Sequence, residues 1–139
     1  MIQLIVGVKG KGKTKHLLDK VNAEVKTANG SIAYIDKSIR HMHDLNNKVR
    51  LINISEYPVE NSDEFIGFLC GILSTDNDLE QIYLDSFLTI AGLEGKDISQ
   101  TIDKLTRISV KFKTEFIVSV SMDEKDLPEN AKPYVSVSL

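Results

Sequence analysis

The sequence predicts an α/β protein built around a mostly parallel sheet of five or six strands. Short apolar runs rich in β-branched residues alternate along the chain with longer runs whose apolar residues recur at helical spacing. The chain has 139 residues, of which 42% are hydrophobic, and this length suits one domain with its own core. We therefore expect a single domain over residues 1–139.

Composition narrows the functional class. The single cysteine, Cys70, excludes a disulfide framework and a cysteine-cluster zinc site within the chain. No apolar run approaches the roughly 20 residues that span a bilayer, and the first residues lack the pattern of a signal peptide. The net charge of −3 gives no nucleic-acid footprint. We expect a protein of the bacterial or archaeal cytoplasm, or at least of a reducing compartment, with no membrane partner.

The first third of the chain predicts a strand, a helix and a second strand. Residues 2–6 form a continuous apolar run, as in a strand buried on both faces. A glycine- and lysine-rich stretch follows, and residues 13–28 then show helical spacing. Asn29-Gly30 is expected to end that helix in the left-handed conformation. Residues 31–36 read as the second strand.

The middle of the chain predicts two more strands around a helix. Residues 37–48 are polar, which indicates a loop with a short helix, and residues 49–54 read as a strand. Asn61 and Glu64 have the spacing of a capping box before an amphipathic helix. Residues 81–85 form a fourth strand that ends in the carboxylate of Asp85.

The last third predicts a helix and two strands. Asp97 with Gln100 resembles a second capping box, and apolar residues recur at helical spacing from Ile98 to Phe112. Residues 115–121 read as the fifth strand, and residues 134–137 as an edge strand.

The most specific motif lies between the first strand and the first helix. It matches G-x-x-x-x-G-K-[ST] in full, with Gly7, Val8, Lys9, Gly10, Lys11, Gly12, Lys13 and Thr14 in order. Glycines let successive main-chain N–H groups turn inward toward a phosphate chain, and the start of a helix adds positive potential. Lys13 can reach the β- and γ-phosphates, and the Thr14 hydroxyl suits Mg²⁺. The alternative interpretation of this motif is a glycine-rich turn between strand and helix whose lysines are simply solvated.

With this motif the chain resembles the P-loop NTPase superfamily, and its RecA-like group in particular. The resemblance implies a three-layer sandwich that binds ATP or GTP with Mg²⁺, with the loop of residues 7–14 around the phosphates. The whole chain is most similar to small bacterial ATP-binding proteins labelled as relatives of twitching-motility ATPases. The chain is too short for the two domains of such a motor, so the label does not imply a motor function.

The resemblance also suggests the second half of a nucleotide site. Asp85 resembles a Walker B aspartate, which holds Mg²⁺ through water, although an aspartate ending a strand could instead cap a turn. The next residue is Ser86, where many RecA-like ATPases carry a glutamate that polarises water, and this departure puts fast hydrolysis in doubt. No glutamate is placed at the γ-phosphate by the sequence. Ser121 is a candidate sensor of the γ-phosphate, or simply a serine at a strand end.

Two further polar segments invite a functional interpretation. Asp36-Lys37 ends the second strand at the same edge as Asp85, where it could contact a substrate or partner or form a local turn. The run from His41 to Asp44 lacks the spacing of a completed metal-ligand set, which favours a solvated loop.

Three functions fit these features. The first is a nucleotide-binding NTPase with slow hydrolysis that acts as a switch or as a subunit of an assembly, with a protein partner or a second copy of itself. The second is a small-molecule kinase for a nucleoside or metabolite. The third is a non-catalytic interaction protein that retains nucleotide as a structural element. The absence of an N/T-K-x-D guanine motif favours ATP over GTP.

Overall fold

Six parallel strands form one sheet at the centre of the molecule. The computed structural model describes residues 1–139. The strands are β1 (Ile2–Val6), β2 (Ser31–Asp36), β3 (Arg50–Asn53), β4 (Leu79–Leu84), β5 (Glu115–Val120) and β6 (Val135–Ser138). Their order is β3-β2-β4-β5-β1-β6, and every neighbouring pair is parallel. All six carboxyl ends therefore lie along one edge of the sheet.

Helices cover both faces of this sheet. They are α1 (Lys13–Glu24), α2 (Ser62–Thr75), α3 (Phe87–Ile90) and α4 (Ser99–Phe112). The buried hydrophobic residues of α2, α3 and α4 belong to a cluster of 25 residues on one face, whereas those of α1 belong to a separate cluster of 9 residues. None of the helices has both the length and the apolar character needed to cross a membrane.

Alternation along the strands separates the two clusters. In β4, Ile82 and Leu84 belong to the larger cluster and Tyr83 to the smaller one. In β2, Ile35 and Tyr34 divide in the same way. Because successive side chains of a strand point to opposite faces, a run that is apolar throughout supplies both cores.

The predicted α/β class and parallel sheet are confirmed. The bounds of β1 and β2 agree with the prediction, and the other strands differ by one or two residues at their ends. β5 lies between β4 and β1. The predicted edge strand is present as β6, beside β1.

The end of α1 differs from the prediction. The helix ends at Glu24, four residues before the expected stop, and neither Asn29 nor Gly30 has a positive φ. Gly30 is required for a different reason: a Cβ there would overlap the main-chain oxygen of Asp78. Close approach of two loops, rather than a left-handed cap, explains this glycine.

Both predicted capping boxes are altered in the structure. Asn61 Oδ1 accepts a hydrogen bond from the Glu64 N–H at 2.9 Å. The Glu64 carboxylate, however, accepts its bond from the N–H of Glu60 rather than from that of Asn61. At α4, Asp97 accepts bonds from the N–H and hydroxyl of Ser99, which lower the pKa of its carboxyl, and Gln100 makes no reciprocal bond. The side-chain spacing indicated the start of α2 correctly, whereas α4 begins one residue later than predicted, with Ile98 rather than Asp97 at its N-cap position.

Candidate functional site

The loop between β1 and α1 has a backbone that few residues other than glycine adopt. Gly10 and Gly12 have φ values of 85° and 87°, in the left-handed region. The main-chain N–H groups of residues 8–14 donate to no acceptor within the protein, whereas that of Gly7 bonds to Val120 O. These unpartnered donors lie at the N-terminus of α1, where the helix dipole favours negative charge. The loop therefore has the chemistry of an anion cradle.

Lys13 is the most buried cation of this loop. Its residue is only 8% exposed, and its ammonium donates to the main-chain oxygen of Val8 at 3.1 Å. Burial lowers the pKa of Lys13, and the nearby Asp85 carboxylate acts in the opposite direction. Because so little solvent reaches this ammonium, a second anionic partner would stabilise its charged form.

Asp85 follows β4 and collects hydrogen bonds from three other elements. Oδ1 accepts from the hydroxyls of Thr14 at 3.2 Å and Ser119 at 2.9 Å, and from the Ser86 N–H at 2.9 Å. Oδ2 accepts from the phenol of Tyr34 at 2.7 Å. These bonds fix the carboxylate, which is 2% exposed, beside the first turn of α1.

The period of the strands explains why these groups meet. Tyr34, Tyr83 and Ile117 belong to the smaller cluster, on the face of α1. Two residues after each of these come Asp36, Asp85 and Ser119. Because side chains two positions apart point to the same face of a sheet, these three lie on the α1 face at the carboxyl edge. The polar ends of three strands thus come together beneath the start of α1.

Asp36 is buried beside this network without a full set of partners. Oδ1 accepts a bond from the Lys37 N–H at 2.7 Å, whereas Oδ2 is buried and accepts none. Burial raises the pKa of Asp36, and the negative charge of Asp85 raises it further.

A cavity of about 510 Å³ opens above these residues. It is lined by the loop and α1 (Lys9, Gly10, Gly12, Lys13, Thr14), by the strand ends (Lys37, Asp85, Ser119, Ser121) and by the segment after β4 (Ser86, Leu88, Thr89, Glu94, Gly95). Only one lining residue is hydrophobic. Such a surface suits a charged, polar ligand.

The structure brings most of the predicted site residues together. Lys13, Thr14, Asp85 and Ser121 line one cavity, together with Lys9, Gly10 and Gly12. Gly7, Val8 and Lys11 belong to the same loop but do not line the cavity. Ser119, which lies within β5, bonds to Asp85, and Ser121 follows the end of that strand.

Sequence reasoning missed three contributors to the site. Tyr34 read as a core residue of a strand, and its hydrogen bond to Asp85 has no sequence signal. Thr89 and Glu94 lie between the predicted fourth strand and the last predicted helix, where the sequence placed no site residue, and the helix α3 in this segment was not predicted. The glycines at positions 92 and 95, on either side of Glu94, were the one sequence feature that indicated a tight turn here.

The donor set at the cavity favours a hard cation over a transition metal. The hydroxyl of Thr14 and the carboxylate of Asp85 are oxygen ligands of the type Mg²⁺ takes. No group of three His, Cys, Asp or Glu side chains could hold a metal ion in this chain. A cation at Thr14 would therefore need further oxygen ligands from water or from a bound phosphate.

The segment from His41 to Asp44 contains a 3₁₀ turn in which the His41 ring contacts the Asp44 carboxylate at 3.2 Å.

Comparison of the sequence with protein-family models finds no matching family, and comparison with curated proteins finds no match.

Proposed function

We propose that this chain binds ATP together with Mg²⁺ and is a slow nucleoside triphosphatase that acts as a switch or as a subunit of an assembly. The observation that carries the proposal is the row of unpartnered main-chain N–H groups at residues 8–14, beside the buried ammonium of Lys13. Donors arranged in this way favour the oxygens of a polyphosphate.

Each residue has a part in this proposal. Lys13 pairs with the β- and γ-phosphates, which would give its buried ammonium an anionic partner. The Thr14 hydroxyl would be a ligand of Mg²⁺, and Asp85 would hold the ion through water. When bound, Mg²⁺ neutralises part of the phosphate charge. Ser121 lines the cavity and is proposed to sense the γ-phosphate.

The test is the thermal stability of the protein with nucleotide. ATP with Mg²⁺ at about 100 times its dissociation constant should add about 2.7 kcal/mol, which for a chain of this length raises Tm by roughly 10 °C. GTP should give a smaller shift at the same concentration, because the chain lacks a guanine-recognition motif.

Lys13→Ala is expected to abolish that shift, because it removes the cation beside the phosphates. Lys15→Ala is the matched control: this lysine is on the same turn of α1 but is exposed, pairs with Asp19 and does not line the cavity. A native protein whose Tm no nucleotide raises would exclude the proposed function. An equal shift in the Lys13 variant would exclude the proposed role of the loop.

A further inference from the structure

The cavity contains two acidic side chains, those of Asp85 and Glu94. Asp85 is already engaged, since its two oxygens accept bonds from Thr14, Ser119, Ser86 and Tyr34, and the proposed function assigns it to the water around Mg²⁺. Glu94 is exposed, and only one of its oxygens is engaged, by the hydroxyl of Thr89 at 2.6 Å. Among the carboxylates that line the cavity, Glu94 is the one with an oxygen available to accept a proton.

Ser86 cannot supply that function at the place where the resemblance would put a glutamate. Its backbone is left-handed, with φ of 56°. Its N–H lies at 2.9 Å from both Asp85 Oδ1 and Ser119 Oγ, so this position holds the end of β4 against β5. A serine hydroxyl is also a poor proton acceptor near neutral pH.

The segment that carries Glu94 is anchored on its N-terminal side. Leu93 is 4% exposed, and its N–H donates to Leu88 O at 2.8 Å. Gly92 has φ of 66° and passes so close to the main chain of Glu60 that a Cβ would lie 3.1 Å from its oxygen. Neighbours that are fixed in this way hold Glu94 on the wall of the cavity, and the Thr89 bond orients its carboxylate.

We propose that Glu94 is the general base for ATP hydrolysis at this site. The water oxygen bonds to the γ-phosphorus while the bond from that phosphorus to the β–γ bridging oxygen breaks. ADP leaves with the electron pair of the broken bond, the water proton passes to the Glu94 carboxylate, and this proton is then released to phosphate or solvent. The inference rests on the proposed function, because it requires the triphosphate in the same cavity.

The experiment compares native protein with Glu94→Gln, using ATP with Mg²⁺ and measuring both phosphate release and the ATP-induced rise in Tm. Loss of a general base should slow phosphate release by about a hundredfold or more. The rise in Tm should stay close to the native value, because glutamine keeps the size of the side chain. Because Glu94 is exposed, the substitution should leave the fold intact, and the melting curve without nucleotide checks this.

Glu56→Gln is the matched control, since Glu56 is exposed in a turn outside the cavity and its side chain makes no hydrogen bond. It should release phosphate at the native rate. The proposal is overturned if Glu94→Gln keeps the native rate, or if it loses the Tm shift, which would make Glu94 a binding residue. Native protein that ATP stabilises without any phosphate release would overturn Glu94 as a base and leave nucleotide binding intact. Absence of any Tm shift in native protein would instead refute the proposed function.

Discussion

Both oxygens of the Asp85 carboxylate accept hydrogen bonds from groups of the protein, and the shortest of these bonds, 2.7 Å, comes from Tyr34. Tyr34 is fully buried and stacks on Tyr83, with ring centroids 6.1 Å apart. Burial and the neighbouring carboxylate raise the pKa of the Tyr34 phenol, so it stays protonated and donates. The phenol thus holds one oxygen of Asp85 from within the core.

Replacing Tyr34 by Phe removes a hydrogen bond to a charged acceptor and should lower the free energy of unfolding by about 1.5–3 kcal/mol. Tyr83→Phe is the matched control, because the Tyr83 hydroxyl donates to the neutral amide oxygen of Gln81 at 2.8 Å. That change should cost about 0.5–1.5 kcal/mol. Urea unfolding measures both values, and equal losses in the two variants would contradict the role of Tyr34.

Asp36 gives the stability a dependence on pH. Burial raises its pKa in the folded protein above the ordinary 3.8, so its charged form disfavours folding. Below pH 3.8 the carboxyl is neutral in both the folded and the unfolded protein, and burial of Asp36 carries no charge penalty. As the pH rises through the folded pKa, the buried carboxyl becomes charged and this stability is lost. Asp36→Asn should therefore raise the free energy of unfolding at neutral pH.

The gain from Asp36→Asn should shrink as the pH falls and vanish near and below 3.8, where the native carboxyl is protonated in both states. Urea unfolding over this pH range measures it. Asp126→Asn, at an exposed position without side-chain hydrogen bonds, is the control and should show little change at any pH. A gain that is constant with pH would show that the charge of Asp36 is not its cause.

At the level of elements, the sequence predicted the strands well and the segments between them poorly. β1 and β2 are apolar throughout, and burial on both faces leaves no other location for such runs. The helix α3 has four residues, too few to show a period, and it depends on the buried side chains of Phe87 and Ile90. Local patterns predict an element only when it is long enough to carry a pattern.

The same distinction holds for the candidate site. Lys13 and Thr14 lie in a contiguous motif, so their proximity follows from the chain itself. Thr14 and Asp85 are 71 positions apart, and they could be paired in advance only by assuming the parallel sheet. Glu94 reaches the cavity through a loop shaped by Leu93 and Gly92, and no sequence rule places a loop residue in this way.

On the scale of the whole molecule, one sheet separates two cores of unequal size. The larger cluster has 25 residues under α2, α3 and α4, and the smaller has 9 under α1. Neighbouring residues of the same strands contribute to both cores, so the two cores are coupled through the sheet.

We therefore expect thermal unfolding in a single transition, with equal calorimetric and van't Hoff enthalpies. Differential scanning calorimetry without nucleotide measures both quantities. A calorimetric enthalpy clearly larger than the van't Hoff enthalpy would show that the α1 layer opens separately from the rest. In that case the loop of residues 7–14 could rearrange without global unfolding.

The pair of stacked phenols beneath Asp85 has a practical consequence for spectroscopy. The chain contains no tryptophan, so its ultraviolet emission comes mainly from its four tyrosines. One of these tyrosines, Tyr34, donates a hydrogen bond to the carboxylate of Asp85, which lines the cavity. Changes in charge at that carboxylate can alter the light this phenol emits, which gives the protein an internal optical reporter that needs no attached dye.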